Sequence, residues 1–185
     1  MSGQPKQLVE TAVFQGRAGV LVADVAEFAS SLSSVSPSLL VDGLGKVLSE
    51  QQSVIVRHGG VIEQFVGCAV LAYWPPADPA VIATQMLASS MELIALNLKT
   101  AEFTCRLKVS FSVNECAGAF FGPASGRRFQ VIGRARDLAE ETMNRSLGTQ
   151  AGLAIDRDTH ALLPALDRAK FSENAGGDFV FLQTT

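Results

Sequence analysis

The sequence predicts an α/β domain in which helices cover a mixed sheet. Three features carry this: a compact apolar run ending in an acid (Ala18–Asp24), paired apolar runs separated by turn residues, and helical stripes that alternate with both. The chain has 185 residues, 48% hydrophobic, with 15 basic and 18 acidic side chains and a formal charge of −3, which suits one domain with a sizeable core. Disorder is excluded, because it needs low hydrophobicity with high net charge. The mild acidity argues against a nucleic-acid partner, which would call for a basic face. No apolar run nears the roughly 20 residues of a membrane-spanning helix, and the polar residues 1–7 lack the apolar stretch of a secretion signal. Cys68, Cys105 and Cys116 are widely spaced with no CxxC, so neither a disulfide framework nor a structural zinc site is indicated. A cytoplasmic domain without a membrane partner is the expectation.

In chain order, a polar arm (residues 1–17) leads to one domain (18–185). Ala18–Asp24 reads as a buried strand whose carboxyl end delivers Asp24 to a surface. The serine-rich stretch Ser30–Ser38 marks a loop. Ser36-Pro37 then starts a helix, with a capping hydroxyl and proline at the first position. Leu40, Leu44, Val47, Leu48, Gln51, Val54 and Ile55 give that helix one apolar stripe, and it ends at Arg57-His58-Gly59-Gly60. Val61–Val66 and Ala69–Trp74, joined at Gly67-Cys68, read as a hairpin. Pro75-Pro76-Ala77-Asp78-Pro79 breaks the chain before a helix over 80–98 that buries Ile82, Met86, Leu93 and Ile94. A second hairpin is expected from Arg106–Val113 and Ala117–Phe121. Val131-Ile132-Gly133 opens a helix with Leu138 and Met143 on one side. A strand (Gly152–Ile155), a helical turn through Leu163 and a terminal strand (Phe179–Leu182) follow.

The order of pieces is an acid-ended strand, a helix closing in His-Gly-Gly, the hairpin Gln64-Phe65-Val66-Gly67-Cys68-Ala69-Val70, and Arg127-Arg128-Phe129-Gln130-Val131-Ile132-Gly133 opening a helix. From Ala18 to Leu163 this resembles the class III adenylate/guanylate cyclase catalytic domain. The resemblance implies a ferredoxin-like α/β core and a head-to-tail dimer with active sites at the subunit interface. It also implies a fixed chemistry. Two aspartates hold two magnesium ions, a lysine and an acid select the base, an asparagine orients the ribose, and an arginine stabilises charge on the phosphate. The first metal aspartate matches Asp24. The second falls on Cys68, a soft thiol and a poor ligand for a hard ion. The lysine falls on Gln64, the base-selecting acid on Arg134, the asparagine on Asp137 and the arginine on Glu141. Five of the six positions depart, two of them by bringing carboxylates towards a polyanionic nucleotide. Each lost contact is typically worth a few kcal/mol of transition-state stabilisation. The resemblance is therefore to a degenerate member, with no catalytic residues, no cofactor and a vestigial Asp24 as its only metal-site remnant.

The remaining candidates each carry a plainer alternative. Asp24 is solvated or caps a neighbouring amide unless other ligands help it hold a cation. Cys68 is a reactive thiol only if a positive neighbour lowers its pKa; otherwise it is a small turn residue. His58 completes a helix end, and His160 has no obvious company. Arg127, Arg128, Arg134 and Arg136 form either an anion site at the start of the following helix or a solvated set paired with Asp137, Glu140 and Glu141. Phe120, Phe121 and Phe129 belong to the core or a dimer interface rather than to base stacking. The favoured function is a non-catalytic regulatory or dimerisation module, as a homodimer or in a heterodimer with another cyclase-type or signalling protein. One alternative is a sensor that binds a nucleotide or small anion in the remodelled cleft. The other is a divergent purine nucleotide cyclase completed by a partner chain.

Overall fold

The computed structural model describes residues 13–26, 36–96, 98–99, 104–123 and 125–182. Most of the expected polar arm and residues 30–35 of the expected loop lie outside them. An eight-stranded mixed sheet runs in the order β2-β3-β1-β6-β8-β10-β9, with β7 pairing the far end of β6. Its strands are β1 (Phe14–Val25), β2 (Val61–Val66), β3 (Ala69–Trp74), β6 (Leu107–Phe121), β7 (Arg128–Gly133), β8 (Gly152–Ile155), β9 (Ser172–Glu173) and β10 (Phe179–Leu182). A separate ribbon joins β4 (Leu98–Lys99) to β5 (Thr104–Cys105). The helices are α1 (Pro37–Arg57), α2 (Pro79–Ala95), α3 (Arg134–Ser146) and the short α4 (Arg157–Leu162) and α5 (Ala165–Arg168). Among the described residues, no helix is long and apolar enough to cross a membrane.

Alternation along the two central strands builds a core on each face of the sheet. Leu21, Ala23, Val25, Leu107, Val109, Phe111 and Val113 point to one side, where Val47, Val54 and Ile55 of α1 and Ile82, Met86 and Leu93 of α2 bury them. Ala18, Val20 and Val22 point to the other side and meet Ala135, Ala139 and Met143 of α3. Asp24 and Lys108 occupy the α3 side by the same alternation, as directly opposed residues of the β1–β6 ladder.

Four expectations are corrected. The hairpin expected from Arg106–Val113 and Ala117–Phe121 is one strand, β6, which keeps its pairing with β1 straight through Ala18↔Asn114 and Arg17↔Glu115. Asn114 and Glu115 have turn-type composition, but the Glu115 N–H donates to the Asn114 side chain at 3.1 Å without ending the strand. Ala117–Phe121 does form a hairpin, with β7. Between the stretches of β6 paired to β8 and to β7, the Val113 N–H donates to the Thr159 hydroxyl at 2.9 Å, and Thr159 is fixed by the Asp156 cap of α4. Helix α2 stops at Ala95 rather than 98, because Leu96 turns extended and Leu98–Lys99 pair with β5. At the start of α1, Ser36 makes no capping bond to the backbone; its hydroxyl lies 3.3 Å from that of Ser38. Strand β1 begins at Phe14, ahead of the expected Ala18, because the register with β6 extends to Gly118.

Candidate functional site

Asp24 is the penultimate residue of strand β1, and the two-residue turn Gly67-Cys68, with φ +61° at Gly67, brings Cys68 to it. The Cys68 thiol donates to Asp24 Oδ1 at 3.0 Å, and the Val25 N–H donates to the same oxygen at 2.8 Å. Lys108 Nζ lies 3.2 Å from Asp24 Oδ2 and donates to the Gly148 carbonyl, also at 3.2 Å, in the turn that follows α3. The ammonium therefore joins a strand end to the carbonyl end of a helix, where a cation is favoured. Burial, together with the hydrogen bond to the Asp24 carboxylate and its charge, pushes the Cys68 thiol up to about 11. Cys68 is thus a protonated donor at neutral pH, and a pKa raised rather than lowered gives the reactive-thiol alternative nothing to rest on.

Gln64 lies elsewhere, in a cleft of about 270 Å³ between the β2–β3 hairpin and α3, floored by Val22, Leu71 and Met143 and bordered by Arg136 and Glu140. Sequence reading missed the residue that organises this wall. A bulge in β2 between Ile62 and Gln64 buries the Glu63 side chain completely, and Arg136 Nη1 donates to its Oε1 at 3.1 Å. Arg136 also donates to Glu140 (3.0 Å) and to the Val131 carbonyl (3.2 Å), so its charge is matched within the wall. Burial raises the pKa of the Glu63 carboxyl, opposed in part by Arg136. The signal in the sequence was an acid in the middle of a short strand with apolar ends, Val61-Ile62 and Phe65-Val66.

The remaining expected residues do not converge in the single chain. Arg134 is exposed, and its guanidinium is 3.7 Å from Asp158 on the α4 side. Asp137 is exposed in the first turn of α3. Glu141 pairs with Arg145 at 2.6 Å. Arg145 also forks onto the buried Asp178 at 2.7 and 2.9 Å, and Ser146 and Asn174 complete that network. Burial pushes the Asp178 carboxyl up, but Arg145 and Ser146 outweigh it and hold it below the ordinary range. The four arginines are spread out as well. Arg127 and Arg128 are exposed at the start of β7, while Arg134 and Arg136 lie past its end, roughly 20 Å away at about 3.3 Å per extended residue. His58 does complete the end of α1: its carbonyl accepts from Trp74 Nε1 at 2.9 Å, and its ring meets Glu92 at 2.8 Å. His160 is not without company, since it stacks on Phe179 with centroids 3.6 Å apart. Phe129 packs against Phe14, Tyr73 and a half-exposed Phe120.

No protein-family model matches the sequence, and no curated protein matches it in sequence. Solved structures do match. The adenylyl cyclase CyaB from P. aeruginosa superposes with a TM-score of 0.68 at 17% identity, over 93% of this chain and 96% of that one. The monomeric guanylyl cyclase domain of the RhoGC fusion protein from Blastocladiella emersonii gives 0.71 at 14% identity, over 93% and 98%. A dimeric form of that RhoGC domain gives 0.69 at 12% identity, over 92% and 97%. The chain has the nucleotide-cyclase catalytic-domain fold. Within that cyclase fold Asp24 and Cys68 lie side by side, as the resemblance implies for the two metal positions.

The magnesium pair implied by the cyclase resemblance does not fit the residues present. Both Asp24 oxygens are engaged, one by an N–H and a thiol and the other by an ammonium. The neighbouring thiol is soft and protonated, whereas magnesium takes oxygen ligands in near-octahedral geometry. Among the described residues, no group of three or more His, Cys, Asp or Glu is placed to hold a metal ion.

Proposed function

We propose that this chain is a cyclase-fold module that does not turn over nucleotide and acts by association, as a regulatory or dimerisation partner of a second copy or of another cyclase-type or signalling chain in the cytoplasm. One observation carries the reading: the Asp24 carboxylate is consumed by Cys68, Val25 and Lys108, inside the protein. Cyclisation needs two cations to activate a hydroxyl and gather a triphosphate. Asp137 and Glu141 add the wrong sign at the positions where the resemblance calls for an asparagine and an arginine. The framework can outlast that chemistry because the buried residues of the two cores are a different set from the site residues. Association is supported by the sheet's edge strand β2, which exposes Val61, Phe65 and Val66.

The test is incubation of the pure chain with ATP or GTP and with magnesium or manganese, followed by measurement of cyclic product. None above background is expected; product at an enzyme-like rate overturns the proposal. Adding candidate partner chains to the same assay tests a composite site with a divergent cyclase.

The sensor reading is favoured by the cleft between the β2–β3 hairpin and α3. Its floor is apolar and its one guanidinium, on Arg136, is matched by Glu63 and Glu140. That balance suits an uncharged group, such as the base of a nucleoside, better than a polyphosphate. A thermal-shift screen of nucleosides against nucleotides separates the two ligand classes, with Gln64→Ala as the control variant.

A further inference from the structure

We infer that Lys108 replaces the metal: its ammonium is the permanent counter-ion of Asp24, and the Cys68 thiol fills the remaining acceptor position, so the pocket is built to stand without a divalent cation. This rests on the non-catalytic reading proposed above and deepens it.

Four observations converge on the inference. The β1–β6 register sets Asp24 directly opposite Lys108, so the contact is fixed by the sheet rather than by a flexible surface side chain. The Lys108 side chain is 14% exposed and that of Asp24 23%, so both charges have lost most of their water and depend on each other. Lys108 is anchored at a second point, the Gly148 carbonyl, which holds Nζ in place. Cys68 stands where the resemblance calls for a second acid, and two carboxylates side by side would carry one negative charge more than a single ammonium can balance. A thiol at that position lets one ammonium neutralise the site. Acid-to-thiol exchange and an internal cation are thus two halves of one arrangement.

The test is thermal unfolding of the full chain in MnCl2 against KCl of matched ionic strength. Wild-type protein is expected to respond to manganese no more than to KCl. Lys108→Met is expected to melt several degrees lower and to recover part of that loss in millimolar manganese, because a bound cation stabilises the folded state. Lys108→Met combined with Cys68→Asp restores an acid pair and is expected to reach half its recovery at a manganese concentration at least about ten-fold lower. Asp24→Asn combined with Lys108→Met is expected to show no manganese response. The inference is overturned if Lys108→Met melts with the wild type, if it ignores manganese, or if wild-type protein is stabilised by manganese through Asp24. Where Lys108→Met does not fold, Lys108→Gln carries the same arm. Asp24→Asn alone must also melt lower, and wild-type stability in that variant overturns the inference by itself. The two readings fail separately: cyclic product from wild-type protein ends the non-catalytic one, whereas the manganese arms decide this one.

Discussion

The Asp24 carboxylate and the Lys108 ammonium oppose each other across the β1–β6 ladder, with 3.2 Å between Oδ2 and Nζ. Neighbouring backbone pairs in the same ladder, Ala23↔Val109 and Val25↔Leu107, are buried on the other face, so the register cannot slip without exposing the core. The sheet thus fixes the backbone frame of the ion pair, and the Gly148 carbonyl gives Nζ a second contact that offsets the ordering of the lysine side chain. A double-mutant cycle with Asp24→Ala and Lys108→Ala in urea is expected to give a coupling of about 1–2 kcal/mol, above the usual exposed pair. Additive single-variant losses would show that the two groups do not stabilise each other.

The thiol of Cys68 is expected to alkylate slowly at pH 8, because burial and the Asp24 carboxylate push its pKa up to about 11. Asp24→Asn removes the negative charge and weakens the accepted hydrogen bond, so the pKa falls and the thiolate fraction rises. Iodoacetamide modification followed by mass spectrometry should be several-fold faster in that variant. It should remain slower than for a free thiol, since burial is unchanged. Cys105 and Cys116, both buried, serve as internal controls.

Local pattern made much of this architecture readable. The β2–β3 hairpin has the bounds expected from its two apolar runs and the Gly67-Cys68 turn, and Gly152–Ile155 and Phe179–Leu182 are strands as expected. What stayed hidden depends on contacts between distant segments. Asn114-Glu115 looks like a turn because composition cannot report that β1 pairs through it. Lys108 looks like a solvated strand residue until the register places it against Asp24. Glu63 stands beside polar Gln64 in the middle of β2, and only the bulge in that strand turns it inward to Arg136. Of the expected site residues, Asp24 and Cys68 meet while Arg134, Asp137 and Glu141 lie apart from them, and the charge balance at Asp24 comes from Lys108, outside the motif.

Acid should destabilise the protein partly through Asp178. Its folded-state pKa is depressed below the unfolded value, so the unfolded chain binds more protons in this window. The stabilisation is complete above the ordinary carboxylate pKa of about 4 and is lost as the pH falls through the lower folded value. Asp178→Asn should lower stability at pH 7 and flatten the acid limb of the curve measured between about pH 5 and pH 2. Arg145→Ala strands the buried carboxylate and is expected to cost about 2 kcal/mol at pH 7. An unchanged acid limb in Asp178→Asn would place the acid sensitivity in another carboxylate.

Association through the β2 edge is expected to depend on Phe65 and Val66, whose exposures of 45% and 59% are high for apolar residues on an edge strand. Neither side chain is needed for the core: the buried contacts of this hairpin come from Val70, Leu71, Ala72 and Trp74 on β3. Phe65→Lys with Val66→Lys should therefore leave the circular dichroism spectrum and the melting curve of the monomer unit intact. Its mass in light scattering at high micromolar concentration should fall from that of a dimer to that of one chain, because two added charges per protomer would be desolvated at the shared edge. A dimer that survives the double substitution would move the association surface away from β2, and a wild-type mass of one chain would remove it altogether.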